Sequence, residues 1–121
     1  MELQNECWPT EIRLSPDKHS LNIRFEDGSN YELTAEYLRI ESPSAEVQGH
    51  SPAEKKTVTG KRHVKILALD PVGNYAVKLR FDDGHDTGIY TWRYFSELGE
   101  KFEAKWNEYL EKLKLAGLRR D

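Results

Sequence analysis

One short segment, written twice, governs what this chain can fold into: Arg24-Phe25-Glu26-Asp27-Gly28 returns fifty-six positions later as Arg80-Phe81-Asp82-Asp83-Gly84. Its surroundings return with it. In the first copy Leu21, Ile23 and Phe25 alternate with polar residues, Asp27-Gly28 follows, and Tyr31-Glu32-Leu33 leads to Thr34-Ala35-Glu36-Tyr37-Leu38-Arg39. In the second, Val77, Leu79 and Phe81 alternate, Asp83-Gly84 follows, and Ile89-Tyr90-Thr91 leads to Trp92-Arg93-Tyr94-Phe95-Ser96-Glu97-Leu98. Alternation at period two marks half-buried strands. Asp-Gly between such runs marks a hairpin, because glycine takes a positive φ at no steric cost. Each threonine stands where an N-cap would open a short helix.

Extending the repeat outward gives the order of elements. Glu11-Ile12-Arg13-Leu14 reads as an opening strand, Ser15-Pro16-Asp17-Lys18 as a turn and 19–26 as a middle strand. In the second unit 63–69 is the opening strand, 70–74 its turn and 75–82 the middle strand. A unit of this size cannot bury its apolar face alone, so two copies are expected to share one core. The predicted class is α+β: two pseudo-repeated strand-strand-strand-helix units, packed as a small antiparallel or mixed sheet layer, with a C-terminal amphipathic helix. That helix is read over 100–116, where Phe102, Trp106, Tyr109, Leu110 and Leu113 fall at helical spacing, and Gly117 supplies the stop. Core packing is the reading for this stripe, with a partner groove as the alternative. Residues 1–9 have no period and read as a flexible tail ending at Trp8-Pro9, leaving 10–121 as a single domain.

Bulk properties exclude several classes. A chain of 121 residues can build one core without staples. Its one cysteine, Cys7, permits neither an intramolecular disulfide nor a zinc site of several thiolates, as suits a reducing compartment. No stretch reaches the length of a membrane span and the first residues do not resemble a signal peptide, so a cytoplasmic protein with no membrane partner is expected. A net charge of −3 argues against a nucleic-acid binder that tracks phosphates with its whole surface.

The connection over 41–62 is long for so small a domain, where loops usually run about four to six residues. Its second half carries Lys55, Lys56, Lys61 and Arg62. That stretch reads as a solvated basic turn, or alternatively as a contact for an acidic partner, a phosphate or nucleic acid. Metal-capable side chains crowd the second Asp-Gly turn: Asp82, Asp83, His85 and Asp86. Turn chemistry explains the carboxylates. The functional alternative is that His85, with His50 or Glu46 from the long connection, binds a metal or moves a proton. Ser42, Ser44 and Ser51 lack the glycine-flanked elbow of a nucleophile, and no catalytic constellation is expected. Tyr90, Trp92, Tyr94 and Phe95 read as packing residues, one of which could anchor a partner.

Several separated motifs occur together in order: 37–50, 72–77, 81–90 and Trp92. With them the chain resembles the bacterial stand-alone form of the gamma-butyrobetaine hydroxylase-like N-terminal domain, over about residues 10–98 and on into the final helix. The resemblance implies a small α+β domain of unknown function that occurs alone, at the front of 2-oxoglutarate-dependent oxygenases of the carnitine pathway, and joined to Mrp-type ATPases that carry iron–sulfur clusters. In the oxygenases it implies a structural zinc held by three cysteines and a histidine. Carried onto this sequence, those positions are Ser42, Ser44, Val47 and His85. Two hydroxyls and an apolar side chain cannot replace three thiolates, so no cofactor is expected and His85 is the single remaining metal candidate. The oxygenases' iron and 2-oxoglutarate belong to a region downstream of this domain, and their activity is not carried over. What the resemblance implies is a non-catalytic adaptor with a protein partner, an Mrp-type iron–sulfur carrier ATPase or another metalloenzyme. The partner-binding surface expected from it is Glu46, His50, Asp83, His85 and Trp92.

Overall fold

The structure, a computed structural model, describes residues 8–121, so 1–7 of the expected tail lie outside the described residues. Strands β1 (Pro9–Leu14), β2 (Ser20–Phe25) and β3 (Asn30–Thr34) form one antiparallel sheet in that order, and helix α1 (Ala35–Ile40) follows. The connection holds a one-turn helix α2 (Ala45–Gln48) and a 3-10 turn at Pro52–Glu54. Strands β4 (Ile66–Val72), β5 (Ala76–Phe81) and β6 (Ile89–Thr91) repeat the sheet, followed by α3 (Trp92–Glu100) and α4 (Phe102–Ala116).

The repetition reaches individual bonds. Pro9 faces Phe25 while Glu11 faces Arg24, and Ile66 faces Phe81 while Ala68 faces Arg80, so Thr10 and Leu67 are equivalent bulges. Gly28 and Gly84 close the two turns at φ 93° and 92°, a conformation open to glycine. Thr34 and Thr91 each accept the N–H three residues on, from Tyr37 and Tyr94, at 3.1 Å. The Tyr37 hydroxyl donates to the Leu98 carbonyl at 2.7 Å, and the Tyr94 hydroxyl donates to the Glu41 carbonyl. Tyr37 and Tyr94 occupy the same place in their units, as do Glu41 and Leu98. It is therefore one bond made in both directions, the mark of a local two-fold relation between the halves.

The shared core draws on both units: Leu21, Ile23, Phe25, Leu33 and Leu38 pack with Ile66, Leu79, Phe81, Tyr90 and Phe95. These are the alternating positions of β2 and β5 with the inward faces of α1 and α3, as the period-two pattern requires. The final helix breaks at Lys101, and its stripe divides: Trp106 packs against the shared core as expected, and Phe102 meets Tyr37 edge-on at 4.9 Å. Tyr109 and Leu113 of α4 join Ile40 of α1 in a second small cluster, and Tyr109 donates to the Val58 carbonyl at 2.8 Å. Helix α4 thus clamps the long connection against α1, leaving Phe102 and Leu110 of its stripe exposed.

Strand limits differ from the sequence reading where proline misled it. Strand β1 starts at Pro9, where proline is tolerated as the first residue of an edge strand. Strand β4 runs through Asp70-Pro71-Val72, read from sequence as turn, and the turn falls at 73–75. Since β4 pairs only with β5, Pro71 deprives no second neighbour of a donor.

Candidate functional site

The halves differ most where the second Asp-Gly turn meets the chain after α1. His85 is the counterpart of Ser29: Ser29 N–H donates to Asp27 Oδ1 at 2.9 Å and His85 N–H to Asp83 Oδ1 at 3.0 Å. But β3 has five residues and β6 three, so 85–88 leaves the sheet and lies on the start of the long connection. This departure turns a hairpin into a site.

The His85 side chain is 3 % exposed, with Nδ1 3.0 Å from Glu46 Oε1 and Nε2 2.8 Å from Ser42 Oγ. A carboxylate only accepts, so the ring proton sits on Nδ1, and Nε2 of the neutral ring accepts from the Ser42 hydroxyl. Ser42 Oγ in turn accepts the Ser44 N–H at 3.2 Å. Burial, followed by the Arg39 charge, lowers the His85 pKa; Glu46 and Asp83 oppose this without reversing it, so the ring is neutral at pH 7. Ser44 Oγ caps α2 by accepting Glu46 N–H at 3.1 Å and also meets Thr87 Oγ1 at 2.7 Å. Gly88 permits this closeness, because a Cβ there would lie 2.5 Å from Ser42 Oγ.

Asp83 anchors the other side. Its Oδ2 receives Arg39 Nε at 2.8 Å and Lys61 Nζ at 2.6 Å. Burial would raise this carboxyl's pKa, but the hydrogen bonds from Lys61, the His85 backbone and Arg39 outweigh it and hold the pKa at about 2. Arg39 Nη1 is buried with no hydrogen-bond partner among the described residues. Its neighbour Nε makes the link to Asp83, and the guanidinium charge acts on His85 through space.

Serine, histidine and glutamate stand here in the order of a charge-relay triad. Yet Ser42 is 0 % exposed and no substrate atom could approach its Oγ without the corner opening. In this conformation the three residues are a latch joining the α1–α2 corner to the second turn. The donor set does not suit the zinc that the resemblance implies in oxygenases. Both His85 nitrogens are engaged, Ser42 and Ser44 offer neutral hydroxyls, and Val47 is buried and apolar. Among the described residues no three His, Cys, Asp or Glu side chains converge as metal ligands.

Of the residues singled out from sequence, the structure brings Glu46, Asp83 and His85 into one connected group. The Glu46 side chain remains 62 % exposed while His85 lies beneath it. His50 is exposed just past α2, where its N–H donates to Glu54 Oε1 at 2.8 Å. Trp92 lies apart at the start of α3, stacked on Phe95, with its indole N–H donating to the Asn74 carbonyl at 2.9 Å. The basic stretch is divided: Lys61 binds Asp83 and Lys55 binds Glu41 at 2.8 Å, while Lys56 and Arg62 are exposed. The parts played by Arg39 and Lys61 left no local signal in the sequence, because their partner lies across the fold. The pairing of position 42 with His85 was carried by the resemblance alone.

Over residues 12–96 the sequence matches the family described as gamma-butyrobetaine hydroxylase-like, N-terminal. The chain belongs to this family. Two NMR solution structures superpose on it with a TM-score of 0.83 at 42 % identity, one covering 97 % of this chain and 92 % of its own, the other 99 % and 89 %. A crystal structure of a protein of unknown function from Acidithiobacillus ferrooxidans ATCC 23270, assigned to the DUF971 family, superposes with a TM-score of 0.63 at 42 % identity over 75 % of this chain and 91 % of that one. A 59-residue stretch is 44 % identical to part of the nonribosomal peptide synthetase asqK of Emericella nidulans, covering 45 % of this chain and 2 % of that protein. The family therefore rests on the first match and on full-length structural likeness. So small a fraction of a synthetase carries no activity across.

Proposed function

We propose that this family member is a non-catalytic interaction domain that acts in the cytoplasm on a metalloprotein, with an Mrp-type iron–sulfur carrier ATPase as the first candidate. One observation carries the reading: the most reactive-looking group of side chains is latched shut. Ser42 is fully buried and both His85 nitrogens are engaged, so the corner offers its outer surface rather than a nucleophile or an open ligand site. That surface is Glu46, whose carboxylate holds His85, and the exposed His50, with Asp83 anchoring the His85 turn and Trp92 as a separate contact. The joining of this domain to Mrp-type ATPases, implied by the resemblance, supports the choice of partner. Among the described residues no helix is long and apolar enough to cross a membrane.

The test is direct binding of the purified chain to a purified Mrp-type ATPase, alongside cluster-enzyme activity in a deletion strain. Binding that weakens in Glu46→Lys and His50→Ala is expected. No binding, together with unchanged cluster-enzyme activity in the deletion strain, sinks the proposal. The competing reading, a metal-binding or catalytic protein built on His85 and His50 with nearby carboxylates, has the triad-like order of Ser42, His85 and Glu46 in its favour. Covalent labelling of Ser42 by a fluorophosphonate, or stoichiometric zinc or iron in untagged protein, would establish it instead. A latch of hydrogen bonds needs no metal, so thermal stability is expected to be the same with and without a chelator.

A further inference from the structure

A cleft of about 340 Å³ lies on another part of the molecule, lined by His19, Thr34, Glu36, Arg62, His63 and Arg120. It forms where the start of β2, the start of α1, the end of the long connection and the C-terminal segment meet. Its volume is of the size that holds a small molecule. The charges in it are unequal. Glu36 is the one carboxylate among these residues, and Arg120 already neutralises it, with Nε and Nη2 donating to its two oxygens at 2.9 and 2.7 Å. Those two bonds use two of a guanidinium's five N–H donors. Arg62 meets Asp121 at 3.7 Å with both side chains 47 % exposed, a contact that solvent reduces to little. His19 is fixed in place because its Nδ1 sits 3.2 Å from the Val64 carbonyl and must donate there. Among the residues lining the cleft two guanidiniums thus stand against one carboxylate, which Arg120 consumes, and a further acid, Asp121, is held only loosely at the edge.

We propose that this cleft binds a phosphate group, either as inorganic phosphate or on a small phosphomonoester. Arg62 supplies the planar fork that suits a tetrahedral oxyanion, the exposed imidazole of His63 adds a single donor, and Arg120 holds Glu36 away from the ligand while keeping N–H groups of its own unspent. The ligand displaces the loose Asp121 contact and leaves the Glu36–Arg120 pair intact. This site shares no residue with the latch around His85.

The experiment is an amide-resolved NMR titration of the full chain with sodium phosphate and, separately, with glycerol 3-phosphate, against sodium chloride at matched ionic strength. Saturable shifts confined to the neighbourhoods of residues 19, 34, 62–64 and 120 are expected with the phosphates and not with chloride. The Arg62→Gln/His63→Gln variant, altered only at exposed positions, should keep its spectrum elsewhere and bind at least about tenfold more weakly, the loss expected for a charge-assisted hydrogen bond. Equal affinity for both ligands assigns the site to free phosphate, and tighter binding of the monoester assigns it to a phosphorylated metabolite. Shifts that match those of chloride, or an unweakened variant, overturn the proposal.

Discussion

The latch at His85 sets what single residues are worth. Ser42→Ala removes the hydroxyl that serves His85 Nε2 and accepts the Ser44 N–H, leaving buried polar atoms without partners. A loss of about 1–3 kcal/mol is expected, read as a lower urea midpoint with an unchanged slope. Gly88→Ala should cost a similar amount by driving a methyl into Ser42 Oγ. Because each change acts on the same few atoms, the double variant should lose measurably less than the sum, and strict additivity would show that the two residues do not meet. Protonation offers a second handle on the same group. The folded pKa of His85 lies below the ordinary 6.5, so the unfolded chain takes up the proton first. Stability is therefore full above about pH 6.5 and declines as the pH falls toward the folded pKa, whereas Asp83 adds its own loss only between its ordinary 3.8 and about 2. Urea midpoints at pH 7.5 and 5.5 should show a fall in the natural protein that is absent in His85→Gln. An equal fall in both would assign the effect to other groups.

At the scale of elements, each half starts its helix in the same way, and the cost of undoing that start should match. Thr34→Ala and Thr91→Ala each remove a side-chain acceptor from the first turn and are expected to cost about 1 kcal/mol apiece, measured by urea denaturation. A much larger loss at Thr34 would show that its place in the phosphate-sized cleft also matters to folding. These helices, both hairpins and the core positions of β2 and β5 were legible because each is specified locally, by a period, a turn residue or a cap. The bulges at Thr10 and Leu67 were not, since a bulge is a property of two strands in register. Nor was the seat of α4, whose stripe fits a sheet as well as it fits α1 and the connection until Tyr109 finds the Val58 carbonyl. The site was half legible: the cluster around His85 stood out as a run of acids beside a histidine, whereas its partners Arg39 and Lys61 come from other parts of the chain.

For the molecule as a whole, the deciding fact is that neither half closes its own core. Residues of β2 and α1 pack directly with residues of β5 and α3, and the hydroxyls of Tyr37 and Tyr94 cross between the halves in opposite directions. Burial pushes the pKa of both phenols well above the ordinary 10, which keeps them protonated as donors over any pH at which the protein would be handled. Two halves joined only at their edges would open separately, the weaker first. Halves that share an interior must open together, so the slowest amides of β2 and β5 should exchange with the same free energy, equal to that of global unfolding. Tyr37→Phe and Tyr94→Phe sharpen the test, since each leaves a carbonyl of the opposite half without its donor at a cost of about 1–2 kcal/mol. In either variant protection in both sheets should fall by one common amount. If Tyr37→Phe lowered protection in β2 while β5 kept its original value, the halves would be separate folding units, and the two-fold relation would be a trace of duplication rather than the source of stability.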